Sequence, residues 1–404
     1  MERKDSIIIV GGGLGGLTAA LALARQGHSV RVLEGAPQFG AIGFGIQFGP
    51  NVFHALDRIG VSTAVLEKAD SPPSVLMIDA LSGKEVTRIS TGAAFRQRFK
   101  YPHIVIHRID LHNVLLEFCR RNPLIELVGN AMVTRFDDRA DGVAVATEDG
   151  RSFQGAALVG ADGIRSRTRA QLFADGDPLP NGFIGFRTIA PMQDVTADVR
   201  RDIVALWGGP GFHIVHYPLR HGTLFNIVAV FRRSADFERG DVTAYRAELE
   251  RVYRDAHPTM KALLAMLDLQ RRQAVGDRDP IRHWHKERAV LLGDAAHPTL
   301  QSLAQGACMA IEDGVCLADC IAGANGDYER AFRRYESARS PRTARVTLES
   351  RAIWDVYHAG GIAREVYWQM LGERSEADTF QCLAWLYDGF RLPDEALAAP
   401  AVDG

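Results

Sequence analysis

Several features that would point directly to a function are scarce in this sequence. Its 404 residues carry a formal net charge of only −2, which gives no general attraction to nucleic acid or to an anionic membrane surface. The five cysteines form no Cys-x-x-Cys pair, which argues against a zinc module and against a disulfide framework. We therefore expect a protein of the reducing cytoplasm that binds neither nucleic acid nor a structural metal ion.

Long uncharged runs are also scarce, and one of them could be mistaken for a membrane segment. Residues 6–24 carry no charge and resemble a signal peptide or a membrane span. Five glycines lie between positions 11 and 16, and each weakens a helix by about 1 kcal/mol relative to alanine. The run is better interpreted as a buried strand over residues 7–10, a glycine turn, and a helix over residues 17–26. We expect no stable membrane insertion.

The glycine turn matches the pattern G-x-G-x-x-G between a strand and a helix. Gly11 permits the tight turn, Gly13 lets a pyrophosphate approach the backbone, and Gly16 allows close packing of helix and strand. Glu34 ends the following strand, where a carboxylate can accept hydrogen bonds from a ribose. This βαβ unit predicts dinucleotide binding, with the phosphates at the positive end of the helix. It does not distinguish NAD from FAD.

Two further acidic turns separate these cofactors. Asp162 follows a buried strand in Val-Gly-Ala-Asp-Gly, and Asp294 follows another in Leu-Leu-Gly-Asp-Ala-Ala-His-Pro. An NAD dehydrogenase has no need of the second turn. FAD is longer, and its ribityl chain must be held at the end opposite its adenosine. Asp294 is placed to bind ribityl hydroxyl groups, so the sequence predicts FAD.

The middle of the chain has a different character, with aromatic and histidine-containing strands between about residues 180 and 275. We interpret it as a second domain inserted into the first. Pro341 is expected to break the helical region that follows, and Trp354, Tyr357, Tyr367 and Trp368 to form an apolar face for a homodimer. The predicted division is an FAD-binding domain at 1–75, 100–178 and 277–345, a substrate domain at 76–99 and 179–276, and a C-terminal helical segment at 346–404.

The three motifs, in this order and spacing, resemble the single-component FAD-dependent aromatic hydroxylases of the para-hydroxybenzoate hydroxylase type. The resemblance covers about residues 5–345 and implies an α/β fold: a Rossmann-like FAD-binding domain, an inserted β-sheet substrate domain and C-terminal helices. Residues 304–306 are Ala-Gln-Gly where the family usually has Gly-Gln-Gly. The cofactor-binding residues that the resemblance implies are Gly11, Gly13, Leu14, Gly16, Glu34, Gly35, Gln47, Arg108, Asp162, Asp294 and Ala307.

The candidate substrate residues lie in one strand and one later turn. A period of two places His213, Val215 and Tyr217 on one strand face, which indicates either a polar patch in a pocket or a hydrogen-bonded pair in the core. This segment and His-Pro-Thr-Leu-Gln301 are similar to family members that hydroxylate 3-hydroxybenzoate para to its hydroxyl group. That resemblance implies His213, Tyr217 and Gln301 as catalytic residues. A histidine with a pKa near neutrality would suit the proton transfer.

The expected protein is a flavoprotein monooxygenase of aromatic catabolism that uses a small aromatic acid, O2 and NADH or NADPH. Hydroxylation of 6-hydroxynicotinate or salicylate stays open as an alternative. From another class, an FAD-binding reductase without oxygenation also stays open. Halogenation is disfavoured because the sequence has no Trp-x-Trp-x-Ile-Pro motif, and a simple NAD dehydrogenase is disfavoured by Asp294.

Overall fold

The structure, a computed structural model, describes residues 5–40, 43–139, 141–234, 241–270 and 272–392. The strands are β1 (Ile7–Val10), β2 (Val30–Leu33), β3 (Gly45–Phe48), β4 (Ser74–Asp79), β5 (Glu85–Ser90), β6 (Ile104–His107), β7 (Ile125–Val128), β8 (Val133–Arg139), β9 (Gly142–Thr147), β10 (Ser152–Gly155), β11 (Ala157–Gly160), β12 (Leu179–Pro191), β13 (Val204–Gly209), β14 (Phe212–Leu219), β15 (Leu224–Arg232), β16 (Arg272–Asp277), β17 (His285–Lys286) and β18 (Ala289–Leu291). The α-helices are α1 (Leu14–Arg25), α2 (Asn51–Ile59), α3 (Ser62–Leu66), α4 (Ala93–Phe99), α5 (Arg108–Arg121), α6 (Arg167–Phe173), α7 (Val242–Val252), α8 (Pro258–Ala265), α9 (Gly306–Ala322), α10 (Tyr328–Tyr357), α11 (Gly361–Gly372) and α12 (Glu376–Tyr387).

A parallel sheet forms the first layer, in the strand order β17-β18-β11-β1-β2-β7. Every pair from β18 to β7 is parallel, and only β17 runs antiparallel. Strand β1 is Ile-Ile-Ile-Val and completely buried, as expected for a strand covered by helices on both faces. The predicted unit of strand, glycine turn, helix and strand is therefore confirmed as β1, α1 and β2.

A second, larger sheet has the strand order β16-β12-β15-β14-β13-β4-β5. Its strands come from residues 74–90 and 179–277, two segments far apart in the chain. One face packs against Leu249 and Tyr253, at the end of α7, and against Met260 and Leu263 of α8. The other face is turned toward the parallel sheet. The predicted α/β class, a Rossmann-like domain with an inserted β-sheet and C-terminal helices, is confirmed.

The expected helix break at Pro341 is wrong, because α10 continues through it. Proline removes one backbone hydrogen bond, so other contacts must hold the two halves together. Arg339 is completely buried and donates to Asp313 at 2.7 Å and to Glu312 at 2.6 Å, which attaches α10 to α9. On the other side of Pro341, Thr343 donates to the Arg339 carbonyl at 3.2 Å. The predicted boundary after residue 345 also falls inside α10.

The expected apolar face of the C-terminal aromatics is wrong for three of the four residues. Trp354 is buried, Tyr357 lines an internal cavity, and the Trp368 indole N–H donates to Asp79 at 2.6 Å. Only Tyr367 is exposed. The exposed apolar residues of α11 are Ile362, Val366 and Met370. None of the helices in the described part of the chain has the length and apolar character needed to cross a membrane.

Candidate functional site

A cavity of about 800 Å³ lies between the parallel sheet, the large sheet and the C-terminal helices. Its lining combines residues from the glycine turn, from β14, from the turn after β18 and from α10 and α12. All three predicted catalytic residues and six of the predicted cofactor residues line it: His213, Tyr217, Gln301, Gly13, Leu14, Gln47, Arg108, Asp294 and Ala307. The predicted cofactor residues outside the lining are Gly11, Gly16, Glu34, Gly35 and Asp162.

The glycine turn has the geometry that a bound pyrophosphate requires. Gly11 has a φ of +108°, and a Cβ added there would lie 2.3 Å from the Ala161 carbonyl oxygen. A Cβ on Gly16 would lie 2.0 Å from the Gly11 carbonyl oxygen, so helix and strand can approach only because both residues are glycine. A Cβ on Gly13 would meet no atom within 4 Å, which leaves room for a ligand beside the start of α1.

The predicted ribose ligand, Glu34, is held beside this turn. Its carboxylate accepts the backbone N–H groups of Gly12 and Ala36, each at 2.8 Å. These two bonds fix its orientation, and each carboxylate oxygen keeps a lone pair for a hydroxyl group. The neighbouring Gly35 is required for packing, because a Cβ there would lie 2.5 Å from the Met132 methyl carbon.

Asp162 organises its own turn. Its carboxylate accepts hydrogen bonds from the Ser166 hydroxyl at 2.5 Å and from the Thr168 backbone N–H at 3.0 Å. Arg169, in the basic helix α6 that follows, is buried. The Arg169 guanidinium donates to the Ala296 carbonyl at 2.7 Å and thereby joins this turn to the one that carries Asp294.

The Asp294 turn is the part of the cavity that suits a polyhydroxy chain. The Asp294 side chain is exposed, and because it lines the cavity this exposure is toward the cavity. The surrounding protein desolvates it and raises its pKa, against the opposing effects of His297 and Arg108. A carboxylate in such surroundings is stabilised by hydroxyl donors. With the open space at Gly13 and the N-terminus of α9 at Ala307, these residues fit FAD.

Ala304 stands where the family usually has the first glycine of Gly-Gln-Gly. Ala304 has a φ of +53°, a left-handed conformation that glycine adopts without steric cost. The glycine usual in this family is therefore explained by backbone geometry, and Ala304 adopts the same conformation at some cost in strain.

The face predicted for β14 is confirmed. His213, Val215 and Tyr217 line the cavity, whereas Ile214 belongs to the core on the opposite face. His216, on that opposite face, accepts the Trp207 indole N–H at 3.1 Å. His213 and Tyr217 are therefore cavity residues and not a hydrogen-bonded core pair.

His213 has a partner that the sequence did not indicate, His358 at the end of α10. The His358 Nδ1 lies 2.7 Å from the Trp354 carbonyl oxygen, which can only accept, so Nδ1 carries the proton. Burial lowers the pKa of His358 to about 4, so the ring is neutral and its Nε2 is an acceptor. The His213 Nδ1, 2.8 Å away, must donate to it.

This hydrogen bond leaves the His213 Nε2 as an acceptor on a side chain that lines the cavity. Burial, together with the nearby His358, lowers the pKa of His213 well below 6.5. The expectation of a pKa near neutrality is therefore wrong, because the strand places this ring where little water reaches it. His213 is a neutral base over the physiological pH range.

Tyr217 is packed against Gly45, the first residue of β3. A Cβ on Gly45 would lie 2.4 Å from the Tyr217 Cε2 and 2.9 Å from its hydroxyl oxygen. The Gly45 N–H also donates to the Asn226 side chain at 2.8 Å, which holds the two segments together. Burial raises the pKa of Tyr217, although Arg187 opposes this effect, so its hydroxyl stays protonated and can donate.

We expect Gly45→Ala to destabilise the protein, because its new methyl group would displace the Tyr217 ring. Overpacking of this kind costs about 1–3 kcal/mol. The measurement is the midpoint of thermal unfolding of the variant and the parent. Gly40→Ala is the matched control, because a Cβ on Gly40 would meet no atom of the described residues within 4 Å. Equal midpoints for Gly45→Ala and Gly40→Ala would contradict the packing described for Tyr217.

Gln301 also has a partner that sequence reasoning missed. The Arg187 guanidinium of β12 donates to the Gln301 Oε1 at 2.6 Å, and both side chains line the cavity. Because Oε1 accepts this bond, the amide NH2 of Gln301 is left as a donor. The signal for Arg187 was a single charged residue inside the otherwise apolar run Phe-Ile-Gly-Phe-Arg-Thr-Ile-Ala. His358 carried no comparable signal.

The comparisons with known proteins show the family of the chain. The family model described as an FAD binding domain matches residues 4–350. A 3-hydroxybenzoate 6-hydroxylase from Polaromonas naphthalenivorans (strain CJ2) is 39% identical over 94% of this chain and 95% of its own length. A protein of the same name from Klebsiella oxytoca is 40% identical over 96% of this chain and 97% of its own length.

A solved structure has the same fold along nearly the whole chain. Klebsiella pneumoniae HpxO, complexed with FAD and uric acid, superposes with a TM-score of 0.84 at 26% identity, covering 96% of this chain and 97% of that one. No group of three or more residues suited to hold a metal ion occurs among the described residues. The chain therefore belongs to the FAD-binding-domain family and is a flavoprotein aromatic hydroxylase with FAD as its cofactor.

Proposed function

We propose that this protein hydroxylates a phenolic aromatic acid para to its hydroxyl group, converting 3-hydroxybenzoate to gentisate with NADH and O2. The observation that carries the proposal is the neutral His213, with its Nε2 as acceptor, in the same cavity as the residues that fit FAD. The similarity to proteins named 3-hydroxybenzoate 6-hydroxylase supports the choice of substrate.

Bound FAD supplies the redox chemistry, namely hydride acceptance from NADH and the activation of O2. The role of the protein residues is to activate the aromatic ring of the substrate. His213 Nε2 accepts the phenolic proton as the ring reacts. The resulting phenolate oxygen raises the electron density at the ring carbons ortho and para to it. The Nδ1–H bond to His358 fixes the orientation of the ring and keeps Nε2 free to accept this proton. In 3-hydroxybenzoate the para carbon is C6, and hydroxylation there gives 2,5-dihydroxybenzoate, which is gentisate.

The other polar residues of the cavity are assigned to substrate orientation. Tyr217 donates its hydroxyl and Gln301 its amide NH2 to substrate oxygen atoms. Burial of His213 and Tyr217, with 2% and 3% of their surfaces exposed, limits the access of water to the reacting ring. The proposed FAD contacts are Gly11, Gly13, Leu14, Gly16, Glu34, Gly35, Gln47, Arg108, Asp162, Asp294 and Ala307.

The test is a substrate panel with product identification. The FAD-loaded protein is incubated with NADH, O2 and, in turn, 3-hydroxybenzoate, salicylate and 6-hydroxynicotinate. We expect gentisate from 3-hydroxybenzoate in equal amount to the NADH consumed, and less product from the other two. If salicylate or 6-hydroxynicotinate is hydroxylated in preference to 3-hydroxybenzoate, the proposed substrate is wrong. NADH consumption that yields only hydrogen peroxide with all three would favour a reductase.

Three further properties are part of the proposal. The large sheet with residues 76–99 and 179–276 serves as substrate domain, and residues 1–75, 100–178 and 277–345 bind FAD. A cytoplasmic location is supported by the cysteines, all five of which are free. A homodimer is supported by the exposed Ile362, Val366 and Met370 of α11, at spacings that place them on one helix face. Chromatography with light scattering measures the oligomeric state.

A further inference from the structure

Arg187 occupies an unusual place for a charged side chain, on β12, the second strand of the large sheet, facing the cavity. The residue pairs across the strands align Arg187 with Val228, Val215, Leu206 and Met77. Aligned residues share a face of a sheet, and all five line the cavity. We call these five residues the central row. Arg187 is its one charged member.

The charge of Arg187 has no counter-ion within the described parts of the chain. Its hydrogen bond goes to the neutral Gln301 at 2.6 Å, and Arg187 takes part in none of the ion pairs found among the described residues. Desolvation by the surrounding protein lowers the pKa of Arg187, Tyr217 opposes this effect, and Arg108 lowers the pKa further. A guanidinium in protein surroundings is costly unless an anion accompanies it.

The charge balance of the whole cavity favours an anion. The charged residues of its lining are three arginines and one aspartate: Arg108, Arg187, Arg374 and Asp294. Asp294 and Arg108 lie near the part that fits FAD, and Arg374 lies on the exposed side beyond α11. Arg187 is therefore the cation of the sheet wall, where the substrate is proposed to bind.

We propose that Arg187 binds the carboxylate of the aromatic substrate and is the residue that selects an acid over a neutral phenol. The inference rests on the proposed function, which supplies a phenolic acid as ligand. Guanidinium groups pair with carboxylates through two parallel hydrogen bonds. Gln301 holds one guanidinium nitrogen through its Oε1 and directs its own NH2 toward the same anion.

The positions along the sheet agree with this assignment. Arg187 and His213 lie on strands separated by β15, so their backbones are roughly 10 Å apart across the strands. Between them, Val228 and Val215 of the central row offer an apolar surface to a ring. A hydroxybenzoate that lies on this surface has its carboxylate at Arg187 and its hydroxyl group at His213. Tyr217, whose charge interaction with Arg187 shows that they are near one another, donates to the carboxylate end.

The experiment measures binding by calorimetry, with FAD-loaded protein and without NADH. The two ligands are 3-hydroxybenzoate and its uncharged analogue 3-hydroxybenzamide. We expect Arg187→Gln to raise the Kd for 3-hydroxybenzoate by about 30-fold or more, as expected on removing one partner of a buried ion pair. The Kd for 3-hydroxybenzamide should change by less than about threefold. Arg187→Lys keeps the positive charge but lacks the two parallel N–H donors of a guanidinium group. It should give a Kd for the acid between those of the parent and Arg187→Gln.

Arg88→Gln is the matched control, because Arg88 belongs to the same sheet but is paired with Glu85 outside the cavity. It should leave both Kd values unchanged. Equal weakening of acid and amide by Arg187→Gln would mean that Arg187 shapes the cavity, and this would overturn the assignment, as would an unchanged Kd for the acid. A parent protein that binds neither ligand would overturn the proposed substrate instead. If Arg187→Gln does not fold, the ratio of the two Kd values for Arg187→Lys decides.

Discussion

His213→Ala should lower the rate of hydroxylation by a factor of about 10², the typical loss when one general base is removed. The phenol would then keep its proton, and its ring would be a poor nucleophile. A larger share of the NADH should be consumed with release of hydrogen peroxide, because the unreactive ring does not take up the activated oxygen. The measurement combines rapid quenching for gentisate with a peroxide assay, each expressed per NADH oxidised.

The matched control for this variant is His216→Ala. His216 is on the same strand and equally buried, but it faces the opposite side of the sheet and bonds to Trp207. It should lower stability and leave the yield of product per NADH unchanged. Because the pKa of His213 lies well below 6.5, kcat/KM of the parent should not fall with a midpoint near 6.5 on acidification. A midpoint near 6.5 that His213→Ala removes would contradict the neutral, buried base.

Asp294→Ala should weaken FAD binding by about 10–100-fold, the range that corresponds to losing a hydrogen bond to a charged group. The physical reason is that the carboxylate faces the cavity and accepts no hydrogen bond from the residues that the structure describes. The apoprotein should fold and melt at a temperature close to that of the parent apoprotein. FAD fluorescence quenching measures the Kd.

Asp279→Ala serves as the control, because the Asp279 side chain is 73% exposed and pairs with Arg351 away from the cavity. It should bind FAD as the parent does. If Asp294→Ala retains FAD with the Kd of the parent, the ribityl chain is held by other groups and the proposed orientation of FAD has to be revised.

The sequence was informative wherever function depends on a short, continuous segment. The turn at Gly11, Gly13 and Gly16 is defined by sterics over six residues, so its spacing alone predicted its geometry. The alternation along β14 likewise predicted which side of the strand His213 and Tyr217 would occupy. Both inferences use distances that the backbone itself determines.

The features that could not be predicted depend on contacts between segments that are far apart in the sequence. His358 lies 145 positions after His213, and Arg187 lies 114 positions before Gln301. No local pattern reports such a partner, and the partner changes the chemistry, since His358 sets the tautomer of His213 and adds to the burial that lowers its pKa. Pro341 shows the same effect on the fold. Its local tendency to end a helix is outweighed by the buried ion pairs that Arg339 makes with α9.

The interleaving of the two sheets has a consequence for how the newly made chain reaches its native state. Strand β4 lies between β5 and β13, and its partner β13 begins only at residue 204. Strand β1 likewise needs β11, which begins at residue 157. Chains are synthesised from the N-terminus, so strand edges of the large sheet stay unpaired until the ribosome has passed residue 277, and β11 lacks its partner β18 until residue 291. The turn with Asp294 and helix α9 emerge later still, so the complete FAD site forms only after residue 322 has been synthesised.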